Sequence, residues 1–199
     1  MFRNKTEVEA LDDIDRKIIS KLQLNGRATL GELAEVTEYT SMGVRKRLQK
    51  LIEQDAIRVL ALINPFYFRL FTAIVLLEME SAEAMQNLLD RFRYCPRVVQ
   101  IFKTLGGYNL IAIVVAEDQN TLESISIEKC SIRSGAGVRR SEFYPVSNIY
   151  FSQFLLVREC LASRRGSIAP CKVDCKPCAR YVDGKCVGCP ATIYYRGTL

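Results

Sequence analysis

The pattern of this 199-residue sequence predicts an α+β protein built in three parts. Three observations carry that expectation. Residues 11–53 repeat apolar positions at helical spacing. Residues 69–146 alternate strand-like and helical segments in the order βαββαβ, a ferredoxin-like arrangement. Residues 161–199 are rich in Gly, Pro and Cys and keep neither period. Domain boundaries are placed accordingly at 1–64, 65–157 and 158–199.

Leu11, Ile14, Ile18 and Leu22 form one apolar stripe, which predicts a first helix over 12–24 stopped by Asn25-Gly26. Thr29, with Glu32 three residues on, is a capping-box pattern opening a short second helix. Leu30, Leu33 and Ala34 are its inner face. A third helix starts after Tyr39, with Thr40 or Ser41 as cap and Val44, Leu48, Leu51 and Ile52 turned inward. Its outer face holds Arg45, Lys46, Gln49 and Lys50, with Arg47 at the edge, and no acid lies between Thr40 and Ile52. The apolar run Ile57–Ile63 reads as a strand ended by Asn64-Pro65. Three short helices and a strand make a winged helix-turn-helix, whose third helix can enter the DNA major groove. Thr40, Ser41, Met42, Arg45, Lys46, Arg47 and Lys50 are the candidate base or phosphate contacts to double-stranded DNA. A plain three-helix bundle with a solvated basic face has the same periodicity.

In the middle segment, Leu70–Met79 reads as a strand and Ser81–Phe92 as a helix with Ala84, Leu88, Leu89 and Phe92 inward. Val98–Thr104 and Tyr108–Ala116 are strands joined across Gly106-Gly107. A helix over 118–130 and a strand over Val138–Val146 complete the set.

The tail carries Cys171-x3-Cys175-x2-Cys178-x7-Cys186-x2-Cys189. Thiolates this close can converge on one metal. Cys171, Cys175, Cys178, Cys186 and Cys189 are the candidate ligands, and Asp183-Gly184 supplies a turn that folds the second CxxC pair onto the first. A [4Fe–4S] cluster and zinc both need four thiolates, which leaves one of the five spare. An unligated or disulfide-linked tail is the third reading. Cys95, Cys130 and Cys160 are isolated in sequence and read as small buried apolar residues.

Composition narrows the function classes. There are no histidines, so the commonest general base is missing, and no nucleophile–base pair stands out. The Cys171–Cys178 triplet has the spacing of radical-SAM enzymes, but only 21 residues follow it, too few for the barrel such enzymes need. An enzyme is not expected. No run of 18 apolar residues spans a membrane, the first seven residues have no apolar core behind their charges, and the protein reads as cytoplasmic. The net charge of +6 comes mostly from residues 158–199, with 8 Lys/Arg against 3 acids. Bulk charge is therefore not the argument for DNA.

The residues Leu11-Asp12-Asp13-Ile14-Asp15-Arg16-Lys17-Ile18-Ile19 resemble the opening of the Lrp/AsnC, or feast/famine, family. The pattern continues through Asn25-Gly26-Arg27, Leu33-Ala34, Thr40, Val44, Arg47, Leu48 and Leu51 to Ile63-Asn64-Pro65. Glu38-Tyr39 stands where the family usually has Gly-Leu, and Thr37 where it has a small apolar residue. Leu105–Leu110 resembles the family's signature turn. The resemblance spans about residues 11–150 and implies a sequence-specific transcription regulator, dimeric or larger. It also implies a small effector, often an amino acid, with Gly106, Gly107, Tyr108 and Asn109 as the effector residues. The family commonly has Asp where this chain has Asn109; a carboxylate there could hold an ammonium group. A Gly-Gly hairpin with no ligand is the plainer reading of the same turn. The alternative for the whole chain is an effector or assembly protein whose helix-turn-helix no longer binds DNA.

Overall fold

A computed structural model describes residues 10–162 and 166–198. The first seven residues, read above for a leader, and Arg164-Arg165 of the basic tail lie outside the described residues. The chain divides into two compact units, Met1–Ala61 and Leu62–Leu199.

The first unit holds α1 (Asp13–Leu24), α2 (Leu30–Thr37) and α3 (Ser41–Glu53). Ile18, Leu33 and Val44, one from each helix, are fully buried at its centre, ringed by Ile14, Leu22, Leu30, Ala34 and Leu48. Local capping fixes where each helix begins. Asp12 accepts from the Asp15 amide at 2.9 Å. Thr29 and Glu32 form a reciprocal capping box. Thr40 accepts from the Gly43 amide at 3.1 Å. Two stripe residues differ from expectation. Leu11 precedes the helix and is exposed, and Ile52, one residue past Leu51, has turned 47% outward.

The strand expected over Ile57–Ile63 is not formed. Residues 57–62 carry no ladder; only Ile63 pairs, with Leu155, through two 2.9 Å backbone bonds. An apolar run becomes a strand only where another strand meets its backbone. The helix-turn-helix thus has no wing strand among the described residues, and Val59, Leu60 and Leu62 are about half exposed.

The second unit contains β1 (Phe71–Met79), α4 (Ala82–Phe92), β2 (Val98–Lys103), β3 (Leu110–Ala116), α5 (Gln119–Ile127) and β4 (Val138–Val146). The sheet order is β2-β3-β1-β4, every pair antiparallel. Ala73, Val75, Leu77 and Met79 of β1 meet Leu88 and Phe92 of α4 and Leu122 and Ile125 of α5 in the main core. The opposite face carries a smaller cluster of Leu70, Val99, Val115 and Val157. β3 starts two residues later than expected, and α5 ends at Ile127 because Glu128 is extended. No helix among the described residues is long and apolar enough to cross a membrane.

The cysteine tail packs into this same unit. It has little regular structure beyond α6 (Ala179–Val182) and bridges at Gly166 and Ile168. The expected Asp183-Gly184 turn is present, with Gly184 at φ 73 and the Lys185 amide bonded to the Arg180 carbonyl at 2.7 Å. Side chains of α5 receive it. Buried Thr121 accepts from the Val187 amide at 3.2 Å, and buried Ser124 donates to the Lys185 carbonyl at 2.9 Å. Arg180 reaches Ser124 and Glu123, both at 2.6 Å. Fully buried hydroxyls on a helix face need such partners, so the tail completes α5 instead of trailing from it.

Candidate functional site

Three places hold the residues singled out by sequence. The first is the surface of α3. Ser41, Met42, Arg45, Lys46 and Lys50 are exposed along it. Arg45 and Lys46 have no ion pair among the described residues. Arg47 differs. Its guanidinium binds Asp12 at 2.6 Å and Asp15 at 3.1 Å, which raises its pKa. The Asp15 amide and Arg47 hold the Asp12 carboxyl below its ordinary range. Arg47 therefore fastens α3 to the start of α1, and the Thr40 hydroxyl is already engaged as the helix cap.

The turn into α3 keeps the backbone that the family's Gly-Leu pattern implies, although Glu38 and Tyr39 occupy it. Glu38 adopts the left-handed conformation, φ 56, where glycine is the easy choice. Tyr39 then lies against the start of α3. A Cβ on Gly43 would fall 2.5 Å from the Tyr39 ring, so a larger residue there would displace that ring. Arg47 also stands 5.8 Å from the centre of that ring. Tyr39, half exposed beside the basic face, was not among the sequence candidates; an aromatic residue in the turn was its only signal.

The second place is the β2–β3 turn. Gly106 and Gly107 are exposed there. Asn109 has a structural task. Its amide oxygen accepts from the Met79 N–H at 2.8 Å, and its amide nitrogen donates to the Met79 carbonyl at 2.9 Å. This closes the end of β1, where the β1–β4 register shifts. An aspartate could accept but not donate, which accounts for an amide here. Tyr108 turns to β4. Its hydroxyl donates to Glu142 and accepts from Arg140 at 2.5 Å, while the Arg140 guanidinium stacks over its ring at 4.6 Å. Burial and the bond to Glu142 push the Tyr108 pKa up; donation from Tyr108 and Tyr144 pulls Glu142 down.

The third place is a cavity of about 50 Å³ inside the second unit. Cys171, Cys175, Cys186 and Cys189 line it, and so do Cys95, beyond α4, and Cys130, beyond α5. Two of the three cysteines read as isolated are thus neighbours of the tail set. Nothing in their spacing signals it, since the fold alone brings them there. The third, Cys160, is exposed and not buried as expected. Cys178 lies in a separate surface cleft with Cys130, Cys175 and Cys186. All eight cysteines are free thiols. Among the described residues no three Cys, Asp or Glu side chains already stand as a ligand set for a metal ion. Burial pushes the Cys130 thiol far up and that of Cys189 to about 12.

Comparison with known proteins follows the same division. The AsnC-type helix-turn-helix domain matches residues 11–52, and the Lrp/AsnC ligand binding domain matches residues 72–154. The HTH-type transcriptional regulator FL11 of Pyrococcus abyssi (strain GE5 / Orsay) is 29% identical over 117 residues, covering 58% of this chain and 77% of FL11. An uncharacterized HTH-type transcriptional regulator of the same organism is 31% identical over 121 residues, covering 60% of this chain and 76% of its own. The transcriptional regulator NMB0573 of Neisseria meningitidis, solved as a complex with L-Met, shares the fold. It has a TM-score of 0.65 at 23% identity and covers 72% of this chain and 94% of that one. Both domain models end before the cysteine tail begins. Two domain matches in one chain, and a relative matched over three-quarters of its length, place this protein in the Lrp/AsnC family of DNA-binding transcription regulators.

Proposed function

We propose that this chain binds a specific operator through α3 and that its affinity for DNA is set by the second unit. The observation that carries the reading is the acid-free face of α3, on which Arg45 and Lys46 stand exposed with no ion pair among the described residues. Cations so placed meet phosphates and guanine acceptors in the major groove. Ser41, Met42 and Lys50 flank them on the same surface. Thr40 and Arg47 act as the cap and the fastening of that helix. A dimer or larger homo-oligomer presents two such helices to half-sites about 10 base pairs apart, or a multiple of that.

The ligand for the second unit is a small molecule of the amino-acid class. The ligand binding domain match supports this, and NMB0573 is a relative of the same fold solved with L-Met. Because Asn109 holds Met79 through both the oxygen and the nitrogen of its side-chain amide, the exposed Gly106-Gly107 backbone is the better-placed contact. The tail adds a metal input, a [4Fe–4S] cluster or zinc held by cysteines of the Cys171–Cys189 set. Footprinting on the protein's own upstream DNA tests the central step. A protected block with half-site symmetry is expected. Failure to protect any duplex would leave an effector or assembly protein with a helix-turn-helix that no longer binds DNA.

A further inference from the structure

The cavity among the cysteines has properties that apolar packing does not explain. Six thiols from three separate stretches of chain face one void of about 50 Å³. A close-packed core closes such voids, because atoms lining them lose contacts. Among the described residues the tail that encloses it has one four-residue α-helix, a three-residue 3-10 turn at Glu159–Leu161 and isolated bridges, yet Cys171 and Cys175 are buried. Short irregular segments need a staple to hold one conformation, and no disulfide is present among the described residues. Arg97 also lines the cavity, buried and paired with Glu117 at 2.6 Å. Glu117 in turn accepts from the Tyr195 hydroxyl of the tail at 2.6 Å. The junction beside the cavity is therefore tied to the tail through the Arg97–Glu117–Tyr195 chain.

We infer that a thiolate-bound metal centre forms across the junction of the sheet domain and the tail, with Cys95 and Cys130 of the domain among its ligands. This inference rests on the metal reading of the tail and adds two ligands outside the CxxC pattern. Among the described residues no three of these side chains stand as a ligand set; the position of each sulfur is set by one torsion, about its Cα–Cβ bond, so the centre requires rotamer changes around the cavity. The centre then staples the tail to the ends of α4 and α5. Two arginines already converge on this junction. Arg91 of α4 donates to the Cys171 carbonyl at 3.4 Å and to the Lys129 carbonyl at 2.5 Å. Arg158 donates to the Arg93 carbonyl at 2.7 Å.

The test uses the full chain purified without oxygen, with metal and acid-labile sulfide analysis and absorbance spectra. Zinc gives a colourless protein; an iron–sulfur cluster gives a broad band near about 400 nm. Wild type and C160S, whose altered residue lies outside the cavity, are expected to carry the same metal load. C95A/C130A is expected to lose at least about tenfold in metal affinity by chelator competition, or to change its spectrum. If that variant does not fold, the near-isosteric C95S and C130S are read singly in the same way. Unchanged affinity and spectrum in these variants would overturn the junction while leaving a tail-only centre standing. A wild-type protein that holds neither metal after reconstitution, or whose cavity cysteines are cross-linked by disulfides, would overturn both. DNA binding is scored separately by footprinting, so its loss is not confused with either result.

Discussion

Arg45, Lys46 and Arg47 are adjacent in sequence but differ in what they touch. The first two face solvent, whereas the third is bound to Asp12 and Asp15. Arg45→Ala and Lys46→Ala should leave the melting temperature unchanged and weaken DNA binding. Each should lower the slope of log K against log salt by about one. Arg47→Ala should lower thermal stability instead, because it unties α3 from α1. The pH dependence has a definite sign. Asp12 is held below its ordinary pKa, so its pairing stabilises the fold above that ordinary range and is lost as pH falls through the lowered value. Asp12→Asn should remove that acid-side loss from the stability–pH curve. Asn109 gives a third residue-level expectation. Asn109→Asp leaves the Met79 carbonyl without a donor and should cost about 1–3 kcal/mol in denaturant unfolding. These distinctions were not legible in sequence. Arg47 and its acids lie more than 30 residues apart, and Asn109 and Met79 are 30 apart.

The helices are legible in the sequence because their signals are local. The Thr29–Glu32 capping box and the Thr40 cap each act within three residues. Thr40→Ala should destabilise the first unit by about 1 kcal/mol in thermal or chemical unfolding, and Thr40→Ser should restore it. A serine that restores stability but not DNA affinity would assign the threonine methyl a direct role at the groove. The strand over Ile57–Ile63 failed for the opposite reason. Its residues suit a strand, but pairing requires a distant partner, and only Ile63 has one, in Leu155. The βαββαβ pattern was legible because each of its elements is long and bounded by turns, and its sheet order follows from antiparallel pairing of β1 with both β3 and β4.

On the scale of the whole molecule, the tail changes meaning. Its cysteine spacing was visible in sequence, but its place was not, since Cys95 and Cys130 are brought to it only by the ends of α4 and α5. Thr121 and Ser124 on α5 show the tail to be a cover for that helix and not an appended module. The metal centre proposed above predicts that a chelator lowers the unfolding transition of Leu62–Leu199 and leaves that of Met1–Ala61 in place, as read by calorimetry; a transition of Leu62–Leu199 that chelator does not move would contradict it.

The central claim is that the exposed cations of α3 read DNA. It is tested most directly by anisotropy titration of the full chain against its own upstream DNA over a range of salt concentrations, beside Arg45→Ala/Lys46→Ala. Specific binding at least about a thousandfold tighter than to unrelated duplex is expected, with the slope falling by about two in the double variant. Equal affinity for both duplexes, or an unchanged slope, would contradict it.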